Sequence, residues 1–444
     1  MRLTLLVVST AQLLVVLDGT IVNIALPSAQ AALGMTDATR QWAITAYALA
    51  FGGLLLIGGR ISSALGHRRT FMAGLAGFAA ASALGGAAVT PEMLFAARAL
   101  QGVFAAALAP AGLSLLTTTF TEPRERGRAF GVFAAVGAAG SAVGLVAGGL
   151  LTEFLSWRWC LYINVPVVLL ALLLSTFVPR DEPVRGGRLD VAGALLSTAG
   201  FGALVYGFAE AESLGWTAPP VLGLLVLGVL LLVAFVAVEL RVTNPMLPMR
   251  ILADRARGAA FTSITLLFVS MMGYYLFLSY YAQTVLGYSP VAAGMTLIIH
   301  ATAALLAATL LAGRLQHRVP AVALVLPGLL AAAIGTFVLT FVGQQTDGVF
   351  WPYLVPSLLL TGLGMGCVLP PTASLATSGM EPRDIGAASA AFNAAQQLGG
   401  ALGVALLNTV AVSTGTYGAA LTVGTVVIVL AAAAQVPRRL VRRA

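Results

Sequence analysis

The chain has 444 residues, of which 59% are hydrophobic and only 9% are charged. A soluble domain has a charged fraction of about a quarter, so this composition excludes one and predicts a protein that lies in a lipid bilayer. The formal net charge is +8, but the basic residues are scattered in short turns between apolar runs and form no nucleic-acid-binding face. The two cysteines lie in apolar stretches, without disulfide or metal-ligand spacing, so we expect neither a cofactor nor a metal.

The first apolar segment contains one acid, Asp18, followed by the polar Asn23. A charged side chain at membrane depth costs a few kcal/mol, so an intramembrane Asp indicates a functional role. Asp18 lies about 22 Å along a helix that starts near Leu3, roughly two-thirds of the way across a ~30 Å hydrocarbon core. Asp18 is therefore a candidate proton-coupling residue, and Asn23 is a candidate cavity residue.

Apolar segments of about 20 residues recur along the whole chain and predict an all-α membrane protein with about fourteen spans. Only Arg40 and Arg158 lie in turns on one side. Nearly all the other arginines lie on the opposite side, which the positive-inside rule makes cytoplasmic, together with both termini. The predicted segments are 4–27, 41–62, 70–90, 92–118, 129–154, 159–178, 189–210, 219–239, 259–281, 291–313, 319–341, 352–376, 386–411 and 415–434.

The fourth segment carries an intramembrane arginine, Arg98. If the helix begins at Pro91, Arg98 lies about 10 Å from the non-cytoplasmic side, and Asp18 lies about 8 Å from the same side. The two side chains can therefore face one another, and the guanidinium would stabilise the ionised carboxylate. A static ion pair that only holds helices together is the alternative.

The fifth segment has glycines at every fourth position, Gly140, Gly144 and Gly148, and Gly149 follows directly. This spacing places the three on one helix face and permits close approach of a second helix.

Polar residues of the later segments are further candidates. His300 lies ~15 Å into the tenth segment and can either carry a proton or hydrogen-bond to another helix. Three amides of the thirteenth segment share one face, which lines a cavity or joins helices, and two aromatic residues of the ninth lie deep enough to contact an apolar substrate. These candidate cavity residues are Tyr274, Phe277, His300, Asn393, Gln396 and Gln397.

An internal repeat divides the chain. Residues 122–127 read E-P-R-E-R-G, and residues 381–386 read E-P-R-D-I-G. The offset exceeds six spans by about one helical pair. We predict a six-helix bundle over 1–180, an inserted two-helix segment over 181–250 and a second six-helix bundle over 251–444. Two parallel repeats are typical of secondary transporters, whose substrate site lies between the halves.

Three motifs carry a family resemblance. Residues 17–27 read L-D-G-T-I-V-N-I-A-L-P, residues 98–102 read R-A-L-Q-G, and residues 157–166 read W-R-W-C-L-Y-I-N-V-P. With these motifs the chain resembles the major facilitator superfamily, in its fourteen-helix drug:proton antiporter branch. The resemblance implies export of drugs or secondary metabolites by alternating access, and it adds Gln101 to the candidate cavity residues.

Two further motifs depart from the family pattern. Ser63 stands where the family has an Asp that helps to latch the cytoplasmic side, and Leu145 replaces the proline of the antiporter motif in the fifth helix. The resemblance implies that the fifth-helix glycines form a sliding contact between the halves, whereas close packing alone also explains them. The loop after the second helix keeps the family's other glycines and basic residues, which are Gly59, Arg60, Gly66, Arg68 and Arg69.

These features predict an exporter in the bacterial cytoplasmic (inner) membrane that exchanges protons for a small molecule. A G-x-x-x-x-G-K-[ST] motif for ATP is absent from the sequence. A proton-coupled importer on the same fold is the alternative, and a receptor or membrane enzyme lacks the soluble domain or catalytic cluster it would need. The expected partners are the substrate, protons and the lipid bilayer, with no nucleic acid, and the expected state is a monomer.

The substrate's charge follows from where the acids lie. Asp18 is the only acid deep in a predicted span, and the second half offers no other carboxylate to a cavity. Holding a divalent cation at low dielectric requires comparable negative charge. The sequence therefore predicts neutral or monovalent lipophilic substrates.

Overall fold

The computed structural model describes residues 2–178, 190–242, 254–315, 318–343, 345, 347–377 and 382–435. These residues form helices joined by short turns and contain no strand, so the predicted all-α fold is confirmed. Every predicted segment overlaps a helix. Ten of the described helices are long and apolar enough to cross a membrane, and further apolar helices are shorter. The count of fourteen crossings stays a prediction.

In chain order, the helices can be assigned to the three parts of the predicted organisation. The first group comprises α1 (Arg2–Leu33), α2 (Trp42–Leu65), α3 (His67–Gly86), α4 (Pro91–Thr119), α5 (Pro123–Phe154), α6 (Trp159–Tyr162) and α7 (Asn164–Ser175). The predicted insertion contains α8 (Val191–Leu214) and α9 (Pro219–Glu239). The last group comprises α10 (Arg255–Tyr280), α11 (Pro290–Leu306), α12 (Gly313–Leu315), α13 (Val322–Thr340), α14 (Val355–Thr377), α15 (Pro382–Thr414) and α16 (Tyr417–Gln435).

The chain separates into two compact units. Unit 1 consists of Met1–Ala203, Val226–Met246 and Tyr288–Met295. Unit 2 consists of Leu204–Leu225, Leu247–Gly287 and Thr296–Ala444. The predicted domain boundaries, after residues 180 and 250, lie outside the described residues, so the three-part organisation stays a prediction.

The two units repeat the same helix pairs. In unit 1, α1 packs against α5, and α4 packs against both α2 and α3. In unit 2, α10 packs against α15, and α14 packs against both α13 and the π-helical turn Ala307–Ala312 that continues α11. Corresponding pairs in the same chain order are what two parallel repeats produce.

Glycines bring the second and fourth helices of each repeat together. A Cβ atom on Gly102 of α4 would clash with the carbonyl oxygen of Tyr47 in α2. Likewise, a Cβ atom on Gly362 of α14 would clash with the carbonyl oxygen of His300 in α11. The matching contacts place Tyr47 and His300 at equivalent positions of the two repeats.

The first and fifth helices also meet through glycine. A Cβ atom on Gly144 of α5 would lie 3.1 Å from the carbonyl oxygen of Leu17 in α1. A Cβ atom on Gly403 of α15 would clash with the carbonyl oxygen of Val269 in α10. The two glycines have the same spacing as the repeated loops 122–127 and 381–386, so Leu17 and Val269 also correspond.

Candidate functional site

Asp18 and Arg98 meet inside unit 1, where Nη1 of Arg98 lies 2.5 Å from Oδ2 of Asp18. Both side chains are buried. As predicted, α4 begins at Pro91, after an N-cap in which Oγ1 of Thr90 accepts a hydrogen bond from the backbone N–H of Met93. Arg98 therefore lies two turns into the helix. The structure brings the two residues together as the depth argument predicts.

The guanidinium of Arg98 is held by α2 and α4 as well as by the acid. Its Nε donates to the carbonyl oxygen of Ala43 at 2.9 Å, and its Nη1 donates to Oε1 of Gln101 at 2.8 Å. Its Cζ lies 4.5 Å from the centroid of the Tyr47 ring, which adds a cation–π contact. The cation is therefore fixed in position by groups on two helices.

The carboxylate of Asp18 also accepts hydrogen bonds from two amides. Its Oδ1 accepts from Nε2 of Gln101 at 3.0 Å and from Nδ2 of Asn164, in α7, at 2.9 Å. The same Nε2 donates to Oγ of Ser82, in α3, at 2.7 Å. A carboxylate only accepts hydrogen bonds, so every one of these donors matches the ionised acid. Side chains from α1, α2, α3, α4 and α7 thus build one buried network.

Proton binding at this site would change more than one residue. When an acid in a buried pair is neutralised, its cationic partner is left uncompensated at low dielectric, which is costly. Protonation of Asp18 therefore favours a conformation in which Arg98 finds other partners or water. An acid built into such a network can couple a proton to a conformational change.

Unit 2 contains a second buried polar network, without a charged member. The hydroxyl of Tyr275 lies 2.6 Å from Nε2 of His300, and Nδ1 of His300 lies 3.0 Å from Oγ1 of Thr361. Thr361 donates to the carbonyl oxygen of Ser357 at 2.8 Å, and the hydroxyl of Tyr274 lies 2.8 Å from Oγ of Ser357. Because the single hydrogen of the Thr361 hydroxyl goes to that carbonyl, Nδ1 of His300 donates to Thr361, and in a neutral imidazole Nε2 then accepts from Tyr275. This pattern fits a neutral imidazole that joins α10, α11 and α14.

The other candidate cavity residues lie apart from these two networks. Nδ2 of Asn23 donates to the carbonyl oxygen of Gly19 in its own helix, at 3.0 Å. Phe277 stacks on Tyr417 with ring centroids 5.2 Å apart. The amides of α15 range from exposed to half-buried, and these are Asn393, Gln396 and Gln397. Among the described residues, no group of His, Cys, Asp or Glu side chains is suited to holding a metal ion.

The candidates predicted for the loop after the second helix lie in the last two turns of α2, at Gly66, and in the first turn of α3. Arg68 donates from Nε to the carbonyl oxygen of Ser175 at 3.0 Å and from Nη2 to that of Thr176 at 2.7 Å, so it caps the C-terminal end of α7. Gly66 has φ +94°, a conformation that favours glycine and allows the sharp turn. Gly59 and Arg60 lie near the end of α2 and are half-buried, and Arg69 lies at the start of α3 and is exposed.

The glycine face of α5 packs on α1 around the acid. Gly140, Gly144 and Gly148 each bring α5 against the turns of α1 that include Asp18. A Cβ atom on Gly149 would instead lie 2.7 Å from the Cα of Val291, in the first turn of α11, which belongs to the same unit. The described contacts thus give these glycines a packing role, and a sliding contact between halves stays a prediction.

Comparison with known proteins identifies the family of the chain. A model of the Major Facilitator Superfamily matches residues 8–404, which is most of the chain. The chain belongs to the Major Facilitator Superfamily. Because this is a family of transporters, the chain is a multi-pass membrane transport protein and not an enzyme, and the predicted family is confirmed.

Several relatives match over most of this chain and over about three quarters or more of their own length. The puromycin resistance protein pur8 of Streptomyces alboniger is 56% identical over 91% of this chain and 81% of its own length. The cephamycin export protein CmcT of Amycolatopsis lactamdurans is 40% identical over 91% of this chain and 84% of its own. The tetracenomycin C resistance and export protein of Streptomyces glaucescens is 33% identical over 91% of this chain and 74% of its own.

The sequence did not identify three members of the Asp18 network, which are Tyr47, Ser82 and Asn164. Asn164 lies in the motif of residues 157–166, and an amide side chain in an apolar stretch indicates a hydrogen-bonding role. Tyr47 and Ser82 are ordinary residues of apolar helices, and only their contacts identify them. Sequence reasoning also missed three partners of His300 and Tyr274 in unit 2, namely Tyr275, Ser357 and Thr361.

Proposed function

We propose that the chain is a proton-coupled exporter of lipophilic small molecules of the antibiotic or secondary-metabolite kind. The observation that carries the proposal is the buried Asp18–Arg98 pair, an acid held in an apolar span at a site built to respond to its charge. The direction of transport is supported by relatives whose names denote resistance or export. Asp18 binds the proton. Arg98 then lacks its counter-ion and changes its contacts with the helices around it.

The proposed setting is the inner membrane of a bacterium, with both termini in the cytoplasm and the chain acting as a monomer. Two six-helix bundles and the inserted pair work by alternating access. In each cycle a proton from outside neutralises Asp18, the site changes conformation because Arg98 has lost its counter-ion, and the proton leaves towards the cytoplasm. The ionised acid then pairs with Arg98 again.

The proposed substrates are neutral or carry one positive charge. In the described spans, Asp18 is the acid that is both buried and far from a helix end, and Arg98 already pairs with it. A divalent cation would need negative charge that these spans do not supply. Of the candidate cavity residues, the half-buried and exposed amides of α15 would then contribute hydrogen bonds to the substrate, because Gln101 uses both ends of its amide within the Asp18 network.

Everted membrane vesicles test the function and its direction together. Puromycin is the first probe, because a relative that is 56% identical is named for resistance to it. We expect vesicles with an acidic lumen to accumulate the probe, and a protonophore to abolish the accumulation. Accumulation that persists with the protonophore would contradict proton coupling, and probe movement out of acidic vesicles would indicate an importer.

A further inference from the structure

The side-chain oxygen of Asn164 is buried and accepts no hydrogen bond from the described residues. Asn164 is the first residue of α7 and is fully buried, with a relative exposure of 0%. Its Nδ2 donates to Oδ1 of Asp18 at 2.9 Å and approaches Oγ of Ser82 at 3.4 Å. A buried acceptor without a donor is uncommon in folded proteins and calls for an explanation.

The orientation of this amide is set by chemistry. Its Oδ1 and Nδ2 could be exchanged by a half-turn about the Cβ–Cγ bond, and hydrogen-bond partners decide between the two positions. An ionised carboxylate has no hydrogen to donate, so only the NH₂ group can face Asp18 while the acid is charged. The unsatisfied oxygen is therefore a consequence of the ionised state of Asp18.

Gln101 provides the contrast. Its Oε1 accepts from Arg98 at 2.8 Å, and its Nε2 donates to Asp18 and to Ser82. A half-turn of this amide would break all three contacts at once. Gln101 is thus fixed at both ends of its amide, whereas a half-turn of Asn164 gives up only the contacts of its Nδ2, to Asp18 and Ser82, because its oxygen has none.

We propose that Asn164 is a positioning residue that responds to the protonation of Asp18 by turning its amide group. The proposal rests on the proposed function, since it requires Asp18 to bind the transported proton. Oδ2 of Asp18 is held by Arg98, so a proton from water adds to Oδ1 and later returns to water from the same atom. The new O–H needs an acceptor, which Oδ1 of Asn164 supplies once the amide has turned. The α1–α7 contact therefore differs between the two protonation states of the acid.

The surroundings make this the amide that can respond. The charged or titratable groups that face Asp18 from the described neighbouring helices are Arg98 in α4, Tyr47 in α2 and Cys160 in α6. The network contacts from α3 and α7 are the neutral Ser82 and Asn164, and α5 contributes glycines. None of these other groups is a neutral amide with a free acceptor.

Infrared difference spectroscopy of the full-length protein in lipid tests the proposal. Spectra are recorded between alkaline and acidic pH, with and without a heavy carbon isotope in the asparagine side-chain carbonyl. We expect two bands to change together, one from a protonated carboxyl group and one from an asparagine amide that moves with the isotope. Both bands should be lost in Asp18→Asn, and the amide band alone should be lost in Asn164→Leu. Ser175→Ala, a change on α7 at a hydroxyl that donates to Ala171 of its own helix, should keep both bands.

The outcomes separate the two proposals. A carboxyl band that depends on Asp18 without an asparagine band would overturn the role of Asn164 and leave proton binding at Asp18 intact. An asparagine band that survives Asn164→Leu would also overturn that role. Absence of an Asp18-dependent carboxyl band would overturn the proposed function itself. The labelled unsubstituted protein gives the first of these answers even if Asn164→Leu does not fold.

Discussion

Two equivalent places in the repeated fold carry different chemistry. The glycine contacts of α5 and α15 make Leu17 of α1 correspond to Val269 of α10, so the next residues, Asp18 and Ser270, also correspond. Asp18 is charged and accepts hydrogen bonds from three side chains. Ser270 is neutral and buried, and its Oγ has no hydrogen-bond partner among the described residues. The repeat thus keeps the backbone packing and changes the charge.

The neighbouring positions differ in the same way. Tyr47 and His300 correspond through their glycine contacts, and Gln101 and Thr361 each precede the glycine involved. In unit 1 these positions surround a buried cation and anion. In unit 2 they form a neutral network whose hydrogen bonds are satisfied internally. We infer that unit 1 holds the proton-responsive site and that the unit 2 network joins helices.

The largest expected effect comes from removing the acid. Asp18→Asn keeps the shape of the side chain but removes its charge and its proton-binding site. Proton-driven accumulation of the probe should therefore fall by about 100-fold, near the upper end of the fold-changes that coupling between two sites typically produces. Transport down the probe's own gradient should remain. Accumulation in vesicles containing equal amounts of folded protein measures the effect.

Glu92→Gln is the matched control, because Glu92 is an exposed acid in the first turn of α4, outside the Asp18 network. We expect accumulation close to that of the unsubstituted protein. Equal losses in the two variants would show that the effect at Asp18 is not specific to the buried site.

Arg98→Ala should have the next largest effect, this time on stability. Removing one partner of a buried pair leaves the other charge uncompensated, which typically costs about 3–5 kcal/mol. Thermal unfolding in detergent should show a large loss for Arg98→Ala alone. The double variant with Asp18→Asn should recover much of it, because the stranded charge is gone. A double variant as unstable as the single one would show that the Coulomb interaction is not the main contribution of Arg98.

The glycine contacts test whether the repeated packing matters equally in the two units. Gly144→Ala in α5 and Gly403→Ala in α15 both place a Cβ atom against a facing helix and should destabilise the protein by about 1–3 kcal/mol. Gly19→Ala is the control, since a Cβ atom there meets nothing within 4 Å. It should be neutral or slightly stabilising, because Ala favours helices over Gly by about 1 kcal/mol. Strong destabilisation by Gly19→Ala would contradict the packing described here.

The smallest expected effect on coupling comes from His300→Gln in unit 2. Gln keeps a hydrogen-bonding group between Tyr275 and Thr361, so the loss of stability should be about 1 kcal/mol. Proton-driven accumulation should be retained, because the side chains of this network carry no charge. A loss of accumulation as large as that of Asp18→Asn would break the proposed difference between the two units.

Sequence reasoning reached the helices and the ion pair for identifiable reasons. Long apolar segments predict spans directly, and the depths of Asp18 and Arg98 follow from the rise of a helix. The partners of the pair were harder to predict, because Tyr and Ser are common in apolar helices. Whether Tyr47 and Ser82 face the pair depends on how each helix is rotated about its axis. Rotation depends on glycine contacts such as that of Gly102 with α2, which spacing alone does not assign to a particular neighbour.

The most direct measurement of the central claim is proton release on substrate binding. The purified protein in weakly buffered detergent solution is mixed with the probe substrate, and a pH indicator follows the solution. The account predicts that protein with a protonated Asp18 releases protons when substrate binds, that His300→Gln does the same, and that Asp18→Asn binds substrate without releasing any. Undiminished proton release from Asp18→Asn, with substrate binding intact, would contradict the claim that this acid carries the proton.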